Sequence, residues 1–528
     1  MYYVIGSGPS GVACASALVA AGRKVTLLDA GLSLEPEREE RRLRMAALDP
    51  DEWSVADVQA SQSVSGSNGT FGAKLCHGSD YPYRPVSGGT VIDYGELGVR
   101  SSFAKGGLSN VWGAALLPYR PEDTADWPVS TAELEQAHAA VLSMLPVAGV
   151  RDDLAHSFPL PSHSLHSPKH CAQIEGLLAD LGPHRAQLTQ HGITFGAARV
   201  AVKFSGNSLS QSCNYCGHCL QGCPRDLIYS SRHTLAELVD SGQLNYIPDV
   251  VVNEIVEHDR NVTICSSKRG EVVHFNGERT FLAAGILGST AILLRSLGRY
   301  EQPVEIADSQ YFTFPLLRLR TVANVRRERL YTLAQMFFEI SNESISSRTI
   351  HLQIYGFSDV IANMLEHRLG IFKKYFPTNA LLGRLLAVQG FLHSDDSGRV
   401  RAVLKRQGNG ARLRLDGIIN PDAKDVVSRV VRRLRRLSPI LRALPLGSLL
   451  QMAQPGRSFH WGGSFPMARD PKPGQTDTLG RPYGRTRTHV VDATIFPSIP
   501  ATTITQTIMA NAFRIGTLSA HIDPRVGN

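Results

Sequence analysis

The sequence predicts an α/β protein of at least two domains. The segment from Met1 to Gly31 runs strand, glycine-rich turn, helix and strand, which is the pattern of a parallel βαβ unit. The chain has 528 residues, more than one hydrophobic core usually supports. Between positions 349 and 416, short segments of alternating polarity indicate a second group of strands.

The N-terminal unit contains each part of a dinucleotide site in order. Tyr2–Ile5 is a short apolar run typical of a buried parallel strand, and Val12–Ala21 is an alanine-rich helix that ends at Gly22. Lys24–Asp29 is the second strand. Between the first strand and the helix lies the sequence Gly6-Ser7-Gly8-Pro9-Ser10-Gly11, which matches G-x-G-x-x-G.

Each position of this motif has a physical role. Gly6 permits the tight turn, Gly8 lets the backbone approach a pyrophosphate, and Gly11 lets the helix pack closely on the strand. The helix N-terminus offers free N–H groups to the phosphates. Asp29, at the end of the second strand, can accept hydrogen bonds from ribose hydroxyls. The sequence therefore predicts a dinucleotide site, which by this motif alone holds either FAD or NAD.

The composition is that of an ordinary globular protein, with 43% hydrophobic and 19% charged residues. No apolar run reaches the roughly 18 residues of a bilayer span, and no basic segment precedes Tyr2 as in a signal peptide. We expect a cytoplasmic protein. The net charge of +8 permits acidic partners or an anionic membrane surface, and we find no nucleic-acid motif.

Eight cysteines in a chain of this length that we expect to be cytosolic argue against a disulfide framework, and four of them are clustered in one short segment. They are Cys213, Cys216, Cys219 and Cys223, followed by Pro224. The spacing C-x2-C-x2-C-x3-C-P is that of a ferredoxin-type run, so we expect these thiolates to hold a [4Fe–4S] cluster. The alternative, a [3Fe–4S] cluster, is implied by the family resemblance described below. Zinc, which prefers two separated C-x-x-C pairs, and four thiols without metal are the other interpretations.

The middle of the chain is expected to supply the substrate wall. Thr349–Gly356, 400–405 and 411–416 alternate as strands do. Residues 363–387 have helical apolar spacing that breaks near Pro377.

Residues 425–444 form a basic helix candidate, interrupted near Pro439. The arginines are Arg429, Arg432, Arg433, Arg435, Arg436 and Arg442. This helix either touches anionic lipid or an acidic substrate, or presents a solvated face over the substrate domain.

Five segments together resemble the glucose–methanol–choline (GMC) oxidoreductases, and they occur in family order. Besides the N-terminal unit, 106–113 resembles the glycine-rich loop beside the flavin, and 281–290 resembles a strand, turn and helix that contacts FAD. His460-Trp-Gly-Gly-Ser-Phe-Pro-Met467 resembles the family's H-x-x-G-T/S element. Residues 490–512 resemble its closing signature. The match is weak between about 300 and 450.

The resemblance implies a fold like that of p-hydroxybenzoate hydroxylase. This is an α/β fold with a Rossmann-like FAD-binding domain built from discontinuous segments and an α+β substrate domain with a mainly antiparallel sheet. FAD-binding segments are then expected at 1–120, 241–300 and 456–528, the last with active-site residues. The cysteine cluster falls in a mixed region at 121–240, and the substrate domain spans 301–455.

The resemblance also implies the chemistry and the residues that perform it. An alcohol carbinol carbon transfers hydride to flavin N5 while His460 takes the hydroxyl proton. The family's second active-site residue, usually His or Asn, aligns with Thr503, whose hydroxyl cannot act as a base near neutral pH. Without this resemblance, His460 would be interpreted as a core histidine beside Trp461. The implied cofactor contacts are Gly6, Gly8, Ser10, Gly11, Asp29, Gly107, Ser109, Asn110, Val252, Ala284, Gly285, Asp492 and Thr502.

The expected function is thus an FAD-dependent dehydrogenase acting on a sugar, sterol-like or lipid-linked alcohol. In relatives with covalent flavin a histidine takes the position of Val111, so noncovalent FAD is expected. Because a cluster passes electrons singly, the partner is expected to be an electron-acceptor protein or a quinone, with peripheral contact to the inner face of the membrane as an open alternative. The other functions considered are a flavin-dependent lyase or isomerase without net oxidation, and a non-catalytic FAD-binding protein.

Overall fold

The computed structural model describes residues 1–62, 74–161, 167–206, 208, 211–359, 361–363, 366, 378–408 and 410–522. Its helices, in chain order, are α1 (Pro9–Ala20), α2 (Pro36–Ala47), α3 (Val55–Ser61), α4 (Thr131–Leu142), α5 (Ala172–Leu181), α6 (Arg185–Gln190), α7 (Ser231–Asp240), α8 (Gly285–Ser296), α9 (Thr378–Leu382), α10 (Ala423–Arg436), α11 (Ser438–Leu441) and α12 (Thr505–His521). Across these ranges, no helix is both long and apolar enough to cross a bilayer.

The strands fall into four main sheets and one short pair. They are β1 (Tyr2–Ile5), β2 (Val25–Leu28), β3 (Val91–Asp93), β4 (Val147–Ala148), β5 (Ile193–Ala197), β6 (Val200–Ala201), β7 (Leu244–Ile247), β8 (Val250–Glu257), β9 (Val262–Lys268), β10 (Glu271–Gly277), β11 (Arg279–Leu282), β12 (Pro303–Asp308), β13 (Tyr311–Arg318), β14 (Met336–Asn342), β15 (Ser346–Tyr355), β16 (Leu385–Phe391), β17 (Arg399–Gln407), β18 (Gly410–Ile418), β19 (Ala443–Pro445), β20 (Gln451–Met452), β21 (Trp461–Gly462) and β22 (Thr488–Val490).

The N-terminal unit lies in a parallel sheet with the strand order β22-β11-β1-β2-β7. Its strands come from distant parts of the chain, and β1 pairs with β11 from Tyr2↔Arg279 to Ile5↔Leu282. Val4, Leu27 and Phe281 are completely buried, as expected when helices cover both faces of a parallel sheet. The predicted strand–helix–strand unit at the N-terminus is confirmed.

The largest antiparallel sheet has the order β19-β13-β16-β15-β14-β5, with β20 also paired to β13. One face of this sheet packs against α5 and α10 through a core that includes Phe314, Leu352 and Val430. The other face carries the alternate residues of the same strands, because side chains alternate across a strand. This second face forms the wall of the cavity described below.

Two further antiparallel arrangements connect these parts. β8, β9 and β10 form a three-stranded sheet, and the order β21-β12-β17-β18-β3 forms another, in which β3 alone pairs in parallel. β21 begins directly after His460, so this sheet fixes the backbone next to the predicted catalytic histidine.

The predicted strands in the middle of the chain are confirmed as β15, β17 and β18. The helix predicted over 425–444 is wrong at its end, because α11 stops at Leu441 and residues 443–445 form β19. The helix predicted over 363–387 falls partly outside the described residues, and its end is wrong because Leu385 begins β16. In both places, pairing with the neighbouring strand β13 determines the backbone.

Candidate functional site

The glycine-rich turn is held by contacts that exclude larger residues. Gly6 has φ +99°, and a Cβ on it would lie 2.4 Å from the carbonyl oxygen of Ala283. A Cβ on Gly11 would lie 1.9 Å from the carbonyl oxygen of Gly6. The helix α1 therefore approaches the turn as closely as the motif requires.

The N-terminus of α1 is open to a ligand. Gly8 is the N-cap residue, it provides no side-chain cap, and Pro9 follows it. A Cβ on Gly8 would meet no atom within 4 Å, and both Gly8 and Ser10 line the cavity. Unpaired N–H groups and the positive end of the helix dipole suit a pyrophosphate at this place.

Asp29 lies at the end of β2 on the same wall. Its carboxylate accepts hydrogen bonds from the Ser7 hydroxyl at 2.5 Å and from the Tyr246 hydroxyl at 3.2 Å. Burial raises the pKa of Asp29 to about 6, and these two hydrogen bonds oppose that rise. At neutral pH it is an acceptor suited to ribose hydroxyls. The turn, the helix end and this carboxylate fit the adenosine diphosphate part of FAD.

A cavity of about 840 Å³ extends from this cradle to His460. The predicted residues on its wall are Gly6, Gly8, Ser10, Asp29, Gly107, Ser109, Val252, Ala284, Gly285, His460, Asp492 and Thr503. These residues come from segments spread over the whole chain. Val111, the position expected to exclude a covalent flavin link, also lies on the wall.

Three predicted cofactor residues do not lie on the cavity wall. Gly11 is covered by Gly6, as described above. The Asn110 side-chain amide donates to the carbonyl oxygens of Lys105 and Gly107, so it stabilises the loop to which it belongs. Thr502 is buried, and its Oγ1 has no hydrogen-bond partner among the described residues. For these three residues, the geometry favours a supporting role.

His460 is positioned by a buried hydrogen-bond network. The Ser458 hydroxyl donates to a carboxylate oxygen of Asp308, and Ser458 Oγ accepts the His460 N–H at 2.9 Å. The other Asp308 oxygen accepts the Gly456 N–H at 2.7 Å. Phe459 adopts φ +60°, so the turn directly before His460 is in the left-handed region.

The His460 imidazole is neutral at physiological pH. Burial, and then the proximity of His351, lower its pKa to about 3. The ring stacks on Phe391 with the centroids 4.7 Å apart. Nδ1 is buried and has no partner among the described residues, so Nε2 is the nitrogen that we expect to face a ligand.

Thr503 lies on the cavity wall, and its Oγ1 accepts the Leu117 N–H at 3.2 Å. This bond uses one lone pair of the hydroxyl and leaves its proton free to donate.

Sequence reasoning missed the residues that the antiparallel strands contribute to the cavity wall. Gln353, Tyr355 and Phe391 line the cavity from β15 and β16. Behind Phe391, the buried His351 Nδ1 lies 2.5 Å from a Glu339 carboxylate oxygen. The alternation of 349–356 could have placed His351 and Tyr355 on one face, but it could not identify that face as the cavity side.

The four clustered cysteines are partly buried free thiols. Burial and then the other three thiols raise the pKa of Cys216, whereas burial and then the Cys219 thiol raise the pKa of Cys213 to about 11. Leu220 and Gln221, within the cysteine segment, line the cavity. Among the described residues, however, no three His, Cys, Asp or Glu side chains are arranged to hold a metal ion. The arrangement does not fit a cluster, and the predicted iron–sulfur site is not confirmed.

Comparison with known sequences places one segment in a family. Residues 447–512 match the family model described as GMC oxidoreductase. This segment contains the four C-terminal residues predicted for the site, which are His460, Asp492, Thr502 and Thr503. A search among curated proteins found no match to the chain.

Comparison with solved structures shows the fold over nearly the whole chain. Pyridoxine 4-oxidase from Mesorbium loti matches with a TM-score of 0.57 and 15% identity, covering 99% of both chains. Two variants of Aspergillus oryzae RIB40 formate oxidase match with TM-scores of 0.58 and 0.57, at 12% and 11% identity, covering 98% of each chain. The mixed α/β fold is thus confirmed, and the predicted GMC resemblance is supported over residues 447–512, the segment that matches the family model.

Proposed function

We propose that this chain binds FAD noncovalently and oxidises an alcohol group of a small or lipid-linked substrate. One observation carries the proposal. A single cavity joins the N-terminal dinucleotide cradle to the neutral imidazole of His460.

Bound FAD would supply the acceptor for the hydride that leaves the carbinol carbon. Gly8, the N-terminus of α1 and Asp29 would hold its adenosine diphosphate half, as their geometry favours. The wall residues Gly107 and Ala284 would approach it through their backbone.

His460 is the base in this proposal. The hydroxyl proton of the substrate passes to the imidazole as the carbinol C–H bond breaks. A pKa of about 3 makes the ring a weak base at rest, but the developing negative charge on the substrate oxygen raises that pKa. Thr503 donates a hydrogen bond to the same oxygen and so orients the substrate.

The route by which electrons leave is supported only by the cysteine spacing. An iron–sulfur cluster at Cys213, Cys216, Cys219 and Cys223 would pass electrons singly to an acceptor protein or a quinone. Such a cluster would therefore favour a dehydrogenase over an oxidase. Because the described side chains are not arranged as ligands, the proposed chemistry passes no step through this segment. Iron and acid-labile sulfide measured in anaerobically purified protein test whether the cluster exists.

The decisive experiment is anaerobic reduction of the bound flavin by a panel of sugar, sterol and long-chain alcohols. The native chain should bleach the flavin with at least one class. His460→Ala should slow this reduction roughly 10²–10⁴-fold, the usual contribution of a general base. His138→Gln is the control, because His138 is also buried with a lowered pKa, of about 4, but does not line the cavity.

Two other results would replace the proposal. Turnover of a substrate without any change in the flavin spectrum would indicate a lyase or isomerase. Normal flavin reduction by His460→Ala would remove this residue from the mechanism.

A further inference from the structure

The cavity wall continues onto an exposed apolar surface. On β13, Tyr311, Thr313 and Pro315 line the cavity, and the next residue of the same face is Leu317. Leu319 follows directly after the strand ends at Arg318. Leu317 pairs with Leu444 on the edge strand β19 and with Leu385 on β16, and Leu385 lines the cavity. The wall therefore runs from Phe391, beside His460, outward to these leucines.

The outer end of this wall carries three exposed leucines. Leu319 is 52% exposed, Leu444 is 36% exposed and Leu449 is 39% exposed. Leu449 and its neighbour Leu446 also line the cavity, so the apolar surface borders its mouth. An exposed apolar patch around the entrance to a cavity is typical of an interaction surface.

Two arginines belong to segments that lie next to these leucines. The Leu319 N–H donates to the carbonyl oxygen of Arg442, so these residues are adjacent. A Cβ on Gly447 would lie 2.9 Å from Val431 Cγ1, which places α10 against the segment that carries Leu449. Arg435 lies one turn after Val431 on that flank of the helix.

These arginines are available for a partner. Arg435 and Arg442 are exposed, and neither of them forms an ion pair with a carboxylate of the described residues. Leu319, Leu444 and Leu449 together with Arg435 and Arg442 are called the leucine–arginine rim below. Leucines that can enter the acyl region, beside cations that can meet phosphates, match the interface of an anionic membrane.

We propose that the leucine–arginine rim docks on an anionic lipid membrane. The alcohol then enters the cavity from the bilayer, with its hydroxyl end towards His460 and its apolar part along the wall that ends at Leu385 and Leu444. The substrate class that follows is an amphiphilic alcohol dissolved in the membrane. This part of the inference rests on the proposed function, whereas the docking itself does not.

Vesicle flotation of the full chain with bound FAD tests the docking. The protein should float with vesicles containing about one third phosphatidylglycerol, and less so with phosphatidylcholine alone or at high salt. Arg435→Gln with Arg442→Gln should weaken binding to the anionic vesicles about tenfold or more. Leu444→Ser with Leu449→Ser should weaken binding to both kinds of vesicle.

A matched control has the same loss of charge elsewhere on the surface. Lys24→Gln with Arg260→Gln removes two exposed cations outside the rim, next to β2 and between β8 and β9, and should bind as the native chain does. His460→Gln should also keep native vesicle binding, because His460 lies inside the cavity.

Three outcomes would overturn the docking. One is that the native chain does not bind anionic vesicles, and another is that the rim variants and the control bind equally well. The third is a dimer in light scattering that Leu444→Ser with Leu449→Ser dissociates, because the rim would then be an interface between two copies. If vesicles bind but no alcohol of any class reduces the flavin, the docking stands and the proposed function fails. If only water-soluble alcohols reduce the flavin, the docking and the proposed function stand and the inferred membrane-dissolved substrate is wrong.

Discussion

At the scale of single residues, Asp308 is the group that places His460. It is completely buried, and burial raises its pKa to about 7 while hydrogen bonds from Ser458 and Gly456 oppose the rise. Those two bonds fix the turn that carries the imidazole. Asp308 does not line the cavity, so it is a positioning residue.

Asp308→Asn should therefore slow flavin reduction without changing the base itself. An amide offers one oxygen acceptor where the carboxylate offers two, so the Gly456 or the Ser458 bond is lost. We expect a decrease of roughly 10–100-fold in the rate of reduction, the cost of a misplaced catalytic group. The measurement is single-turnover reduction in a double-mutant cycle with His460→Ala. Asp308→Asn should have little further effect in that background, and additive effects would contradict the positioning role.

Sequence patterns could predict His460 but not Asp308. The histidine belongs to a short local motif, whereas Asp308 lies far from that motif in the sequence and reaches the turn through the pairing of β12 with β21. Thr503 was found because it occupies a position in a signature segment. Asn110 and Thr502 were assigned in the same way, and the structure places both off the cavity wall. A signature identifies a segment, but the direction of each side chain depends on tertiary contacts.

At the scale of elements, two glycines of the turn between β1 and α1 are expected to have different roles. Gly11 permits close packing of the chain, whereas Gly8 leaves space for a ligand. Gly11→Ala should destabilise the chain by about 1–3 kcal/mol, because its methyl group would overlap the Gly6 carbonyl oxygen. Gly8→Ala should change stability by less than about 1 kcal/mol, since its methyl group meets no protein atom. It should nevertheless weaken FAD binding about tenfold or more, because the methyl group enters the space where the backbone approaches the pyrophosphate.

Thermal unfolding of the FAD-free chain and titration with FAD measure the two effects separately. Unchanged FAD affinity in Gly8→Ala would show that the turn is not the cofactor cradle.

Elements with a clear sequence pattern were predictable, and the strands β16 and β19 were not. The parallel strands β1 and β2 and the alternating strands β15, β17 and β18 agree with their sequence patterns. Residues 385–391 and 443–445 are apolar runs that suit a helix or a strand equally well. Their pairing with β13 decides between the two, and no local signal predicts a partner so distant in the sequence.

At the scale of the whole molecule, the site exists only where several distant segments meet. The proposed cradle comes from the N-terminal βαβ unit, the antiparallel wall from β13, β15 and β16, and the proposed base is His460. The sequence could assign these segments to one site through the family resemblance. It could not predict that one face of the antiparallel sheet would connect the base to an exposed rim.

Buried histidines should make the whole molecule sensitive to acid. Burial is the main cause that lowers the pKa of His77, His460 and His489 to about 3 and that of His138 to about 4. These groups are neutral in the folded chain, but in the unfolded chain they gain protons below a pKa of about 6.5. Their contribution to stability is therefore complete above pH 6.5 and decreases as the pH falls below it.

Buried carboxyl groups act in the opposite direction over part of the same range. Asp29 and Asp308 have folded-state pKa values raised to about 6 and about 7, and the pKa of Asp492 is also raised, so these groups hold protons in the folded chain that the unfolded chain has released.

The four histidines should outweigh these groups, and the melting temperature should fall as the pH is lowered from 7 to 5. His138→Gln removes one of the four and should make this fall smaller, as measured by calorimetry at both pH values. A melting temperature that rises on acidification would mean that the buried carboxyl groups dominate the proton linkage of folding.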